Sequence, residues 1–260
     1  MSKAMVASKE RLSTLRDVLE AKKSTIAALL PQHLHIERLI KVALVAASRN
    51  PLLLECDQLS ILKSVMTCAQ LGLEPDSPLG EAHLVPFRNN RANRMEATFI
   101  AGYRGLLKLI RRSGELASIG VHVVYEGDEF ECEFGLEPKL RHVPKWDRTP
   151  KAEIKCVYAI AHLKGGGVQA DVMTLAEVEA VRKRSRSGSN GPWVSDFSEM
   201  ARKTVLKRLA KYLPLSIEAD RAIATDTAVD VGEPTEIDLV LPESPESETL
   251  MIEEGKNEDR

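Results

Sequence analysis

The chain has 260 residues, 43% of them hydrophobic and 28% charged, and a formal net charge of −2. That length holds one sizeable domain or two small ones. With aromatics at 4%, the core must rest on Leu, Ile, Val and Ala. The charge is uneven: Asp226 to Arg260 carries 12 acidic and 2 basic residues, a net of −10, whereas the residues before it carry 34 basic and 26 acidic, a net of +8. A basic body with an acidic tail predicts an anionic partner and a separate role for the tail. No apolar run approaches the ~20 residues of a membrane span. Met1 to Ser8 lacks the apolar stretch of a signal peptide, so an intracellular protein is expected. Cys56, Cys68, Cys132 and Cys156 are far apart, which argues against a zinc knuckle or a disulfide scaffold. No phosphate-loop motif occurs, so an ATPase motor is not expected.

In chain order, Leu12, Leu15, Leu19, Ile26, Leu29 and Leu30 recur at helical spacing until Pro31. Ile36 to Ala47 forms a second amphipathic helix, ended near Asn50-Pro51. Asp57 is placed to cap a third, carrying Leu59, Leu62, Val65, Met66 and Ala69, and Gly72 to end it. From about residue 80 the period changes to two. Ala82 to Phe87 and Ala97 to Ala101 are predicted as paired strands, with Pro86 at an edge and Arg88 to Arg94 as a polar, basic tip. A helix follows from Tyr103 to Arg112, closed by Gly114. Ala117 to Tyr125 and Phe130 to Phe134 are predicted as strands joined by the tight turn Glu126-Gly127-Asp128. A further hairpin, Ile154 to Leu163 and Val168 to Met173, turns at Gly165-Gly166-Gly167. Thr174 and Glu177 fit a capping box opening a helix to about Arg184. A flexible Ser/Gly segment from Ser185 to Pro192 precedes a last helix, from Asp196 to Leu213. Beyond about residue 226 the acidic, Pro/Ser-rich chain is expected to be disordered, with apolar islands at 239–241 and 250–252. The fold class is α+β: a helical N-terminal part, a small β-rich core with hairpins packed against helices, basic C-terminal helices and a disordered acidic tail.

The last helix is the most informative. Lys203, Lys207 and Lys211 recur at i, i+4 and i+8, with Arg202 and Arg208 beside them, above a packing stripe of Phe197, Met200, Ala201, Thr204, Val205, Leu209 and Tyr212. Like charges at that spacing repel by tenths of a kcal/mol each, a cost that a polyanion offsets. Arg182, Lys183, Arg184 and Arg186 add four more cations, so residues 182–212 hold 9 basic and 2 acidic residues. Ammonium groups and guanidinium forks are what phosphate contacts require. The alternative is a solvated face at a helix C-terminus. Gly102-Tyr103-Arg104-Gly105, with Lys108, Arg111 and Arg112 after it, is a second basic element. Its helix start presents N–H groups to a phosphate. Tyr103 is either a base-stacking residue or a core residue. The tip with Arg88 and Arg91 is either a backbone contact or a soluble turn, and Trp193 either stacks on a base or anchors its loop. Glu153-Ile154-Lys155, with Asp128 or Asp147 upstream, loosely fits the metal site of nucleases, or is an exposed ion pair.

The ordered motifs resemble the RecT family of phage and prophage single-strand annealing proteins, distantly related to Redβ. They are Leu71-Gly72-Leu73-Glu74-Pro75, Leu79 to Phe87, Ile100 to Leu106, Arg111 to Gly114, Val124 to Phe130, Asn190 to Val194, Glu199 to Thr204 and Lys211 to Pro214, spread over about residues 35 to 225. The resemblance implies an ATP-independent recombinase with no ATPase or nuclease site. Such a protein coats single-stranded DNA left by a partner exonuclease and pairs it with a complementary strand. It also implies a ring or helical filament, with DNA in a basic groove. No cofactor is expected beyond Mg²⁺ as a counterion. The resemblance carries DNA contact over to Tyr103, Arg104, Lys183, Arg184, Arg186, Trp193, Arg202, Lys203 and Lys207; Lys108, Arg111, Arg112 and Lys211 lie beside them, and the tip at Arg88 and Arg91 departs from the pattern. Residues 1–33 are then an N-terminal helical segment for oligomer contacts, 34–225 the annealing core, and 226–260 a tail for the exonuclease or a host single-strand binding protein. The setting implied is the cytoplasm of a bacterial host. A metal-dependent nuclease and a sequence-specific DNA-binding regulator are the other classes in view.

Overall fold

The structure, a computed structural model, describes residues 3–31, 34–90, 92–135, 138–149, 152–233 and 235. They fall into two units: one of the described residues up to 106 with 221–229, 233 and 235, the other of those in 107–220 with 230–232.

The first unit opens with helices α1 (Lys3–Ala21) and α2 (Lys23–Leu29), so the helical run expected up to Leu30 breaks at Lys22. Leu15, Leu19 and Ile26 point inward from them. Helix α3 (Ile36–Arg49) and a 3₁₀ turn (Pro51–Glu55) lead to α4 (Gln58–Leu71). Asp57 caps α4, its Oδ2 accepting the Ser60 N–H at 3.0 Å, and Gly72 closes it at φ +64°. This apolar helix packs on the antiparallel pair β1 (Ala82–Asn89) and β2 (Arg94–Ala101). The Ala97 N–H donates to Ser60 Oγ at 2.9 Å, and the Ala97 carbonyl accepts from Ser64 Oγ at 3.0 Å. Both polar groups of Ala97 thus turn to α4. Its partner across the pair is Pro86, so the proline's missing donor leaves no ladder bond unmade.

The second unit holds an antiparallel sheet in the order β3 (Leu116–Tyr125), β6 (Ile154–Leu163), β7 (Val168–Thr174). The triple glycine turns the β6–β7 hairpin as expected. The turn at 126–128 does not make a hairpin. Its second strand, β4 (Glu129–Glu133), pairs with β5 (Lys139–Val143), which the sequence pattern did not show. Asp128 is the reason: it accepts the Tyr125 N–H at 2.9 Å and the Lys145 N–H at 2.7 Å, so it ties β3 to the chain beyond β5. The capping box at Thr174 and Glu177 opens α6 (Leu175–Arg184), followed by α7 (Pro192–Ser195) and α8 (Phe197–Ala210), which packs on the sheet. All four cysteines are unpaired, and burial pushes the Cys56 and Cys156 thiols up to about 11.

Two helices contribute to both units: α5 (Tyr103–Arg112) and α9 (Ile217–Val231). Helix α9 corrects the expected start of the tail. Residues 226–231 are helical, and Asp226 is fully buried, with an oxygen accepting the Ala101 N–H at 3.0 Å. Ala219, Ala222, Ile223 and Val229 bury the apolar side of α9. The islands at 239–241 and 250–252 lie outside the described residues.

Candidate nucleic-acid interface

The start of α5 is set by its glycines. A Cβ on Gly102 would lie 2.1 Å from the Gly80 carbonyl oxygen, and one on Gly105 2.0 Å from that of Glu81. The Gly102 N–H donates to the same Glu81 oxygen at 2.9 Å. Both glycines therefore serve close backbone packing. Leu106, Leu109 and Ile110 bury one side of α5. Arg104 and Arg111, seven residues apart, share an exposed face. Neither pairs with an anion among the described residues. Tyr103, Lys108 and Arg112 are half-buried, and each is engaged within the fold.

The second cationic stretch divides in the same way. Lys183 and Arg184, in the last turn of α6, are exposed and form no ion pair among the described residues. Arg182 pairs with Glu179 at 3.2 Å, donates to the Gly188 carbonyl at 2.7 Å and lies 5.7 Å over the Phe197 ring. Arg186 is exposed, but its N–H donates to the Asp230 carbonyl at 2.8 Å. Turn bonds from Gly188 to Ser185 and from Asn190 to Ser187 tie down the segment expected to be flexible. Trp193 is the anchor of its loop rather than a stacking platform, since it is 2% exposed and packs 5.9 Å from Phe197.

Helix α8 departs most from expectation. From Ala201 to Ala210 every residue is buried or half-buried, because the helix packs on β3, β6 and β7 and also against α6 and α7. Lys203 is buried. The Lys207 ammonium sits 2.8 Å from Asp230. Arg208 grips both Asp171 oxygens at 2.6 Å and Glu177 at 2.7 Å, and Arg202 pairs with Glu199. The Thr174 N–H and then Arg208 hold the Glu177 carboxyl down at about 2, while Asp171 and Glu177 raise the guanidinium of Arg208. The expected row of three solvent-facing ammonium groups is therefore reduced to Lys211, which is exposed and forms no ion pair among the described residues. Tyr212, expected in the packing stripe, is exposed; Leu206 and Ala210 fill that stripe instead. At the β1–β2 tip, Arg88 is exposed and donates to Asn93 Oδ1 at 2.6 Å. Arg91 lies outside the described residues.

The model of the RecT family matches residues 37–238, most of the chain. The chain belongs to the RecT family. It is 47% identical over 206 residues to Protein RecT of Escherichia coli (strain K12), covering 78% of this chain and 76% of that one. It is also 29% identical over 182 residues to Uncharacterized protein YqaK of Bacillus subtilis (strain 168), covering 66% of this chain and 57% of that one. Membership makes it a DNA-binding protein of recombination by single-strand annealing.

For a RecT-family chain, two further placements matter. Glu153 and Lys155 are exposed, whereas Asp128 is buried and occupied by backbone and side-chain donors. Among the described residues no group of three His, Cys, Asp or Glu is placed to hold a metal ion. Sequence reasoning missed Trp146, which is 89% exposed. Its signal was a tryptophan set among Lys145, Asp147 and Arg148. Among the described residues no helix is long and apolar enough to cross a membrane.

Proposed function

We propose that this RecT-family chain anneals DNA without ATP: it assembles on one single strand and pairs it with its complement. The phosphates are held by Arg104, Arg111, Lys183, Arg184 and Lys211. The observation that carries this reading is that these candidates are exposed cations with no ion pair among the described residues. An unpaired cation gains from counterion release on meeting a phosphate, whereas Lys207 or Arg208 must first give up an internal anion. An annealing protein holds backbones and leaves Watson–Crick edges open. Arg202, Lys203 and Lys207 then act as parts of the fold.

Assembly is homo-oligomeric, as a ring or filament, with the N-terminal helices as contacts. The acidic tail engages a partner exonuclease or a host single-strand binding protein in the bacterial cytoplasm. No hydrolytic step and no cofactor enters, with Mg²⁺ acting as a counterion only. The test is pairing of two complementary fluorescent oligonucleotides without ATP. Wild type is expected to accelerate pairing and Lys183→Ala/Arg184→Ala to do so less. No acceleration by wild type would overturn annealing; full acceleration by the variant would overturn the assignment of these two cations.

A further inference from the structure

Trp146 is the most exposed large hydrophobic residue described, at 89%. It sits just beyond β5, and residues 145–148 around it are braced from beneath. The Asp128 side chain is 0% exposed, and the Lys145 N–H donates to its Oδ1 at 2.7 Å. Arg148 reaches the same oxygen at 3.5 Å and stacks 4.4 Å over the Tyr125 ring. His142 Nε2 lies 3.2 Å from Asp128 Oδ2, and its Nδ1 lies 3.2 Å from the Tyr158 hydroxyl. A buried carboxylate thus holds the backbone just before the indole and the Arg148 side chain just after it, while the indole itself rests in water.

The surroundings decide what covers the indole. Lys145, Asp147, Arg148 and Thr149 are all exposed and polar. A lone tryptophan buries about 150–250 Å², well short of the ~800 Å² per partner of a stable protein interface. One indole face does match one nucleobase, and base stacking on an aromatic ring is sequence-tolerant because every base has a π face. The charges beside it are already spoken for, Lys145 by Asp147 at 3.9 Å and Arg148 by Asp128.

We infer that Trp146 is a base-stacking residue for single-stranded DNA, held ready by the Asp128 brace. It acts through its π face rather than by counterion release. This inference rests on single-strand binding by the chain, as proposed above.

The chain has two tryptophans, and the other, Trp193, is buried. Intrinsic fluorescence therefore separates them. Oligo-dT is titrated into the full chain while binding is followed independently by anisotropy of a labelled strand. Expected is quenching of the solvent-exposed emission, absent in Trp146→Ala. Affinity falls by roughly fivefold or more in Trp146→Ala and recovers in Trp146→Phe. The slope of log affinity against log salt stays unchanged, and the buried emission of Trp193 in Trp146→Ala reports that the variant is folded. If wild type binds oligo-dT and Trp146→Ala binds it equally well, stacking is overturned and single-strand binding stands. If wild type does not bind oligo-dT, both are overturned. A shift of Trp146 emission with protein concentration alone, with DNA affinity unchanged in Trp146→Ala, would make it a contact between copies and overturn the inference.

Discussion

Helix α8 and the last turn of α6 both concentrate positive charge, and the structure uses them in opposite ways. In α8 the cations are paired with acids: Lys207 with Asp230, Arg208 with Asp171 and Glu177, Arg202 with Glu199. In α6, Arg182 is committed to Glu179 and Gly188, while Lys183 and Arg184 stay in solvent. A basic run in a sequence therefore measures charge, not availability. Availability depends on whether the helix is packed on one side or all round. It also depends on acids that reach it from elsewhere in the chain.

The sharpest break of this contrast is to remove a charge that is wholly buried in the fold. Asp128→Ala deletes the acceptor of two backbone N–H groups, His142 and Arg148. It should cost about 3 kcal/mol in urea unfolding. The same carboxyl gives a pH signature. Burial pushes it up, but the Lys145 and Tyr125 N–H groups, His142 and Arg148 outweigh burial and hold it at about 2. Its folded value lies below its unfolded one. Its contribution, on the order of 2 kcal/mol, is complete above about pH 4 and lost as pH falls toward 2. Urea unfolding across that range should show a larger loss in wild type than in Asp128→Asn, which keeps the contribution of Glu177.

Next in size is the C-terminal boundary. Truncation before Asp226 removes the buried acceptor of the Ala101 N–H and the Asp230 partner of Lys207. It should lower Tm by several degrees. Truncation after residue 235 keeps both pairings and should leave Tm unchanged. Equal melting of the two chains would contradict a structural role for α9. Smaller again, Arg208→Ala should cost about 1–2 kcal/mol, because a third of the side chain is exposed. It should leave the salt dependence of oligo-dT binding as it was.

What was legible in the sequence was local. The Asp57 cap, Gly72 at φ +64°, the triple-glycine hairpin and the Thr174–Glu177 box all stand where their residues are. Each is decided by neighbours a few positions apart. The misses are long-range. Asp230 lies 23 residues from Lys207, and Asp171 37 residues from Arg208. No spacing rule joins those pairs before the fold does. Strand β5 is hidden from a sequence pattern because polar His142 takes an inward position and apolar Val143 an exposed one. Only the end of helix α9, from Asp226, falls in the expected tail, because Asp226 and Asp230 count as tail charge until the fold gives them partners.

The most direct test compares the salt dependence of oligo-dT affinity for two double variants, each with its Tm. Lys183→Ala/Arg184→Ala should flatten the log–log slope by about 0.7 for each phosphate no longer neutralised, with Tm unchanged. Arg202→Ala/Lys207→Ala should lower Tm and keep the wild-type slope. A flattened slope in the α8 variant with an unchanged one in the α6 variant would contradict this division of the cations.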